Sequence, residues 1–128
     1  MIHFLLRVTL ITLALLFMSS AALADDNWKP YQKSLAISFV ALQAIDYGQT
    51  NYIFENRDRY YEVNPFVDYV HEKTGETGWL LYKALSTALV LYIADKSPKY
   101  RTWILAGSTV LLIGITTHNA SIGLRLSF

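Results

Sequence analysis

The 128-residue sequence contains no cysteine and little charge. The absence of cysteine excludes disulfides, zinc sites with thiolate ligands and a cysteine nucleophile. Charged residues make up 16% of the chain, and the formal net charge is +1. Binding to nucleic-acid phosphates requires a concentrated basic face. The lysines and arginines are scattered along this sequence, so we expect no nucleic-acid partner.

The sequence also lacks the alternation of polar and apolar residues that is typical of β-strands. Hydrophobic residues make up 53% of the chain, which is more than in an ordinary soluble domain. A chain of this length has room for one domain. These features favour an all-α protein with an unusually apolar surface.

The N-terminus has the pattern of a secretory signal peptide. Arg7 precedes an apolar run over residues 8–18, and small residues follow up to Ala24. Ala22-Leu23-Ala24 matches the small-x-small pattern that signal peptidase recognises. We therefore predict a cleaved signal peptide over residues 1–24 and a mature chain that begins at Asp25. An uncleaved anchor is the alternative, but the apolar run is shorter than the roughly 20 residues that span a bilayer.

The mature chain contains three long segments of helical character, at residues 31–54, 78–94 and 102–122. Asn64-Pro65 is typical of an N-cap followed by proline at the first helical position, and it predicts a short helix over residues 66–72. The polar connection at residues 95–101 contains Pro98 and is short, which predicts an antiparallel hairpin. We predict an all-α membrane bundle in one domain, residues 25–128, in which the hairpin 78–122 packs with helix 31–54.

The two hairpin helices are apolar around nearly their whole circumference. A small domain cannot bury two such helices from water on every side. Aromatic residues lie near the ends of these helices, as in membrane proteins: Trp79, Tyr82, Tyr92, Tyr100 and Trp103. We predict insertion into the bacterial inner membrane after export, with the bilayer as a partner. The alternative is a soluble periplasmic bundle, which Lys83 within the second helix would suit.

The distribution of basic residues bears on the topology. Three spanning helices would place the basic connection 95–101 outside, against the rule that loops rich in Lys and Arg stay in the cytoplasm. We therefore expect helix 31–54 to lie along the periplasmic surface or to pack on the hairpin without crossing. In either arrangement the connection is cytoplasmic and the functional face is periplasmic.

Polar residues gather at the end of the predicted hairpin that lies opposite the connection 95–101. Gln43, Asp46 and Thr50 share one helix face. Antiparallel packing brings Lys83, near the start of the second long helix, beside His118 and Asn119 at the end of the third. The loop that carries Glu62 and Asn64 enters the second helix at the same end. The predicted polar cluster therefore contains eight residues: Gln43, Asp46, Thr50, Glu62, Asn64, Lys83, His118 and Asn119.

The pattern Gln43-x-x-Asp46-x-x-x-Thr50, Glu62-x-Asn64-Pro65, Lys83 and His118-Asn119-x-x-x-Gly123 resembles a family of small uncharacterised membrane proteins from bacteria and their phages. That family is described as a domain of unknown function. The resemblance covers residues 35–123 and implies a compact helical membrane unit without an established activity. It maps the recurrent polar positions of the family onto Asp46, Thr50, Glu62, Asn64, Lys83 and Asn119.

Each residue of the cluster has a structural explanation. Asp46 and Lys83 suit an interhelical ion pair, Asn64 suits a helix cap, and His118 suits the negative end of a helix dipole. The exposed tyrosines of loop residues 60–63 would suit an envelope protein partner or lipid headgroups. We therefore expect a structural or interaction component of the cell envelope, without a cofactor.

An enzyme is the alternative hypothesis. Asp46, Glu62 and His118 form a set that could hold a divalent metal ion or act as acid and base. The sequence has no His-Glu-x-x-His, no Gly-x-Ser-x-Gly and no phosphate-binding glycine loop, so this alternative is less favoured. A holin-like pore would fit the size, but the signal peptide and the lack of a charged C-terminal tail argue against it.

Overall fold

The structure, a computed structural model, describes residues 27–128 and, before them, only Ile2 and Leu6. The predicted signal peptide and its cleavage site lie outside the described residues. The described chain forms three helices and no strand: α1 (Pro30–Glu55), α2 (Pro65–Lys96) and α3 (Arg101–Ser121). The predicted all-α class is confirmed.

Local chemistry explains where the helices begin. Pro30 and Pro65 occupy the first turns of α1 and α2, where the missing N–H of proline is no loss. The Asn64 side chain accepts a hydrogen bond from the Phe66 backbone N–H at 3.0 Å. Asn64 is therefore the N-cap of α2, as predicted.

Helix α2 is interrupted by a kink at Gly75, which has a φ of +69°. Glycine adopts this left-handed conformation without the penalty that a Cβ imposes. The kink separates residues 65–74 from the apolar stretch that follows, close to the predicted break between the short helix and the second long helix. The short first part packs on the end of α1, where His71 stacks on Phe54 with a ring-centroid distance of 3.6 Å.

The three helices run up, down and up. Gln32 donates to Thr102 Oγ1 at 3.0 Å near the start of α1 and α3, and Gln49 donates to the Thr116 carbonyl at 3.0 Å near their ends. Helices α1 and α3 are therefore parallel, and α2 is antiparallel to both. The most extensive packing joins α1 to α3 rather than the two hairpin helices. Phe39 and Leu105 are the largest side chains that this packing buries almost completely.

The start of α1 lies beside the connection between α2 and α3. Trp28 Nε1 donates to Asp95 Oδ1 at 2.9 Å, and Arg101 Nη1 donates to the Asn27 carbonyl at 3.1 Å. Residues 27–28 and the connection therefore lie on the same side of any membrane that the bundle crosses. The predicted topology, with an exported N-terminus and a cytoplasmic connection, would place these two neighbouring segments on opposite sides of the membrane.

The C-terminal residues fold back along α1. The Ser127 N–H donates to the Gly48 carbonyl at 3.0 Å, and the Phe128 ring stacks on Tyr47. A Cβ at position 48 would lie 2.9 Å from the Phe128 ring, so glycine permits this close approach. The sequence analysis assigned no role to this segment.

Among residues 27–128, α2 is the one helix that is long and apolar enough to cross a membrane. Of the 18 most apolar consecutive residues of α2, 17% are buried within the protein. The apolar sequence of α3 is interrupted near the end of the helix by four polar residues: Thr116, Thr117, His118 and Asn119. Many large apolar side chains of α2 and α3 lie on the outside of the bundle, among them Leu81, Leu85, Leu89, Trp103, Val110 and Leu111.

Candidate functional site

A cavity of about 590 Å³ lies between the second halves of α1 and α3, the middle of α2 and the loop at residues 56–64. Seven of the eight predicted cluster residues line it: Asp46, Thr50, Glu62, Asn64, Lys83, His118 and Asn119. Gln43 does not line the cavity. Its Oε1 is buried and has no hydrogen-bond partner among the described residues.

An ion pair joins two walls of the cavity. Asp46 Oδ2 of α1 lies 2.5 Å from Lys83 Nζ of α2. The two side chains are 15% and 14% exposed, so the pair is largely shielded from solvent. Lys83 Nζ also lies 5.8 Å from the centre of the Trp79 ring. An ammonium in such surroundings is stabilised by both the carboxylate and the ring face.

A second polar link joins α1 to α3 below the cavity. The buried Gln49 side chain donates to the Thr116 carbonyl, and its Oε1 accepts a hydrogen bond from Asn119 Nδ2 at 3.1 Å. Sequence reasoning missed Gln49. It lies three residues after Asp46 and therefore on the same helix face, and that spacing could have identified it.

Glu62 is the one acidic residue that the loop contributes to the cavity wall. Its Oε1 accepts a hydrogen bond from the Asn64 backbone N–H at 2.9 Å, and no salt bridge to it is formed within residues 27–128. Burial raises the pKa of Glu62 above the ordinary value of 4.5, against the lowering effect of the Asn64 N–H. The carboxylates of Asp46 and Asp68 raise the pKa further.

Aromatic rings form much of the remaining wall. Trp79 stacks on Tyr82 at 5.5 Å, and Tyr60 and Tyr61 face the same cavity from the loop. Trp79 is only 2% exposed, and its Nε1 has no hydrogen-bond partner in the described part of the chain. Trp79 and Tyr82, which the sequence pattern predicts near a membrane interface, both line the cavity.

Asp46, Glu62 and His118 all line the cavity, yet they do not converge. No group of three or more His, Asp or Glu side chains within residues 27–128 is close enough to hold a metal ion. Asp46 is already bound to Lys83. The geometry therefore gives no support to the metal-dependent form of the enzyme hypothesis.

Comparison of the chain with protein-family models, with curated proteins and with solved structures found no match. The resemblance to a family of small membrane proteins stays a prediction from the residue pattern, and the function is argued from the cavity and the surface alone.

Proposed function

We propose that this chain is a small integral protein of the bacterial inner membrane, and that it acts as an interaction component whose cavity binds a small amphipathic molecule. The observation that carries the proposal is a mostly apolar cavity beside an outward apolar face. Both features lie on the same three helices.

The outer surface of α2 and α3 supports insertion in a bilayer. The side chain of Leu85, near the middle of the apolar part of α2, is 69% exposed. Contiguous exposed apolar patches are unusual on monomeric soluble proteins and indicate contact with lipid or with another protein. The helical backbone satisfies its own hydrogen bonds, as a bilayer requires.

An arginine at position 85 tests this part of the proposal. If Leu85 faces lipid, Leu85→Arg places a charge in the hydrocarbon, which costs about 3 kcal/mol near a helix centre. Tyr69→Arg is the matched control, because Tyr69 is also exposed but precedes the kink of α2. We expect the Leu85 variant to be depleted from carbonate-washed membranes and the Tyr69 variant to stay. Equal retention of both would contradict insertion of α2.

The predicted export indicates which end of the bundle faces the periplasm. A cleaved signal peptide would leave residue 27 on the periplasmic side, and the connection shares that end of the bundle. The cavity then faces the cytoplasm, which replaces the expectation from basic residues alone. The guanidinium of Arg101 is buried in contacts within the protein, which weakens the positive charge of the connection as a topology signal.

Two single-cysteine variants test the sidedness, since the chain has no cysteine of its own. Ser97→Cys lies in the connection, and Asp58→Cys lies in the loop between α1 and α2. We expect a membrane-impermeant thiol reagent to label the first and not the second in intact spheroplasts. The reverse pattern would contradict export of the N-terminus. An intact mass that begins at Asp25 would test the cleavage itself.

The dimensions and lining of the cavity support a binding function. Small-molecule sites typically occupy about 300–1,000 Å³ and combine apolar walls with a few polar groups. Apolar residues contribute from all three helices, including Ile53 of α1, Val67 of α2 and Leu112 of α3. A purely structural role would not require a cavity of this size.

Filling the cavity tests the binding function. Val67→Trp adds bulk to the cavity wall, whereas Val110→Trp adds the same bulk to the outward face of α3. The probes are short-chain amphiphiles, which we expect to bind the purified full-length protein and the Val110 variant. We expect the Val67 variant to bind none of them. Equal binding by both variants would show that the probes bind elsewhere.

A further inference from the structure

We propose that the cavity selects a cationic amphiphile, an alkylammonium group with an apolar tail, and that Glu62 is its counter-ion. This inference rests on the proposed binding function and adds the chemical class of the ligand. Its basis is the combination of one carboxyl group that lacks a cationic partner with several aromatic rings in a single, partly open cavity.

The charges that line the cavity favour a cation. Asp46 and Lys83 already neutralise each other through their ion pair. Glu62 is left without a cationic partner among the described residues, and it lies half-buried in the wall of the cavity. A half-buried carboxylate gains stability from a cation that replaces its lost hydration. An anionic ligand would find the one lysine of the wall already bound.

The aromatic rings favour a particular kind of cation. Quaternary alkylammonium groups are weakly hydrated and bind to the faces of tryptophan and tyrosine. Four such rings line the cavity: Tyr60, Tyr61, Trp79 and Tyr82. Lys83 Nζ already lies over the Trp79 ring, so this wall packs against an ammonium within the protein itself.

The apolar part of the wall accommodates the tail of such a ligand. Leu112, Ile115 and Ile122 line the cavity from α3 and from the residues just after it. A small inorganic cation would leave this apolar surface in contact with water, whereas an alkyl chain would cover it. The lining therefore fits an organic cation better than a metal ion.

Three probes of equal chain length test the charge preference: hexyltrimethylammonium, 1-hexanol and hexyl sulfate. Affinity for the full-length protein is measured in a neutral maltoside detergent at pH 7.5. We expect the cation to bind most tightly. Glu62→Gln, which keeps the shape and removes the charge, should lower its affinity at least about tenfold, equivalent to about 1.4 kcal/mol. Asp58→Asn is the control, because Asp58 lies in the same loop but does not line the cavity.

The pH dependence of the affinity distinguishes a binding role of Glu62 from a purely structural one. The groups around it are Asp46 of α1, Asp68 and Lys83 of α2 and His118 of α3. Protonation of Glu62 removes the counter-ion, so binding of the permanently charged probe should weaken as the pH falls. The midpoint should lie above 4.5, because burial raises the pKa of Glu62. Glu62→Gln should abolish this midpoint.

The outcomes separate the two proposals. Tighter binding of the sulfate or of hexanol, with a loss in the cavity-filled Val67→Trp variant, would overturn the cation preference and leave the binding function standing. Binding of none of the three probes would overturn the binding function as well. Equal affinity of the Glu62→Gln and Asp58→Asn variants for the cation would remove Glu62 from the site.

Discussion

The two ends of this bundle use polar side chains in opposite ways. At the connection end, Arg101 is 4% exposed and donates to the carbonyls of Asn27, Ala94 and Asp95. At the cavity end, the buried Trp79 Nε1 has no hydrogen-bond partner among the described residues, and Glu62 has no cationic partner there. Buried polar groups are nearly always hydrogen-bonded in folded proteins, so an end that leaves them open is the better candidate for binding.

The connection end is held by a small network of side chains. The Arg101 guanidinium lies 4.8 Å from the centre of the Trp28 ring, and Trp28 in turn donates to Asp95. Gln32 of α1 and Thr102 of α3 add a further hydrogen bond beside it. These contacts fix where the three helices meet at this end of the bundle. The side chains at the connection end hold the fold together, whereas those at the other end line a cavity.

The largest expected effect lies at the connection end. Arg101→Met keeps the aliphatic stem and removes all three hydrogen bonds to backbone carbonyls. Leaving these buried acceptors without a donor should destabilise the protein by about 3 kcal/mol. Thermal unfolding in detergent measures the change, with the exposed Lys99→Met as the control in the same connection. An equal melting temperature for both variants would show that the network does not hold this end.

A smaller effect is expected at the Asp46–Lys83 pair. Asp46→Ala or Lys83→Met alone leaves the other charge largely buried, which should cost about 2 kcal/mol, below the range for fully buried pairs because both side chains are partly exposed. The double variant removes the unmatched charge and should recover much of this loss. Strictly additive losses in the same unfolding measurement would show that the two residues are not coupled.

The smallest effect on stability is expected at Glu62. Its pKa is raised on folding, whereas the pKa of a carboxylic acid is more often lowered. The folded state therefore holds the proton more tightly than the unfolded chain does. The stabilisation by this proton is complete below the unfolded value near 4.5 and is lost as the pH rises through the folded pKa. Glu62→Gln should therefore unfold at a slightly higher temperature than the wild type at neutral pH. A lower melting temperature would indicate that the charged form is stabilised within the fold.

Helix positions and the polar cluster follow from local sequence patterns. The Asn64 cap, the break near Gly75 and the short connection each depend on a few neighbouring residues, whose spacing the sequence displays directly. Asp46 and Lys83 are also brought together by chain connectivity, because an antiparallel hairpin determines which helix ends meet. These features require no knowledge of how the side chains of distant segments fit.

The features that sequence reasoning missed depend on such fits. The parallel packing of α1 on α3 joins segments about 70 residues apart, as in the link between Gln49 and Asn119. The C-terminal segment packs on α1 only because Gly48 leaves room for the Phe128 ring. Neither contact has a periodic signature in the sequence. The contact between residues 27–28 and the connection is of the same kind.

The central claim is that the cavity end binds a ligand and the connection end holds the fold together. The most direct test compares the ligand affinity of one variant from each end. Hexyltrimethylammonium is titrated into Arg101→Met and Glu62→Gln at a temperature where both variants are folded. The account predicts wild-type affinity for the Arg101 variant, despite its lower stability, and at least about tenfold weaker binding for the Glu62 variant. Equal losses in both variants, or a loss confined to Arg101→Met, would contradict the assignment of binding to the cavity end.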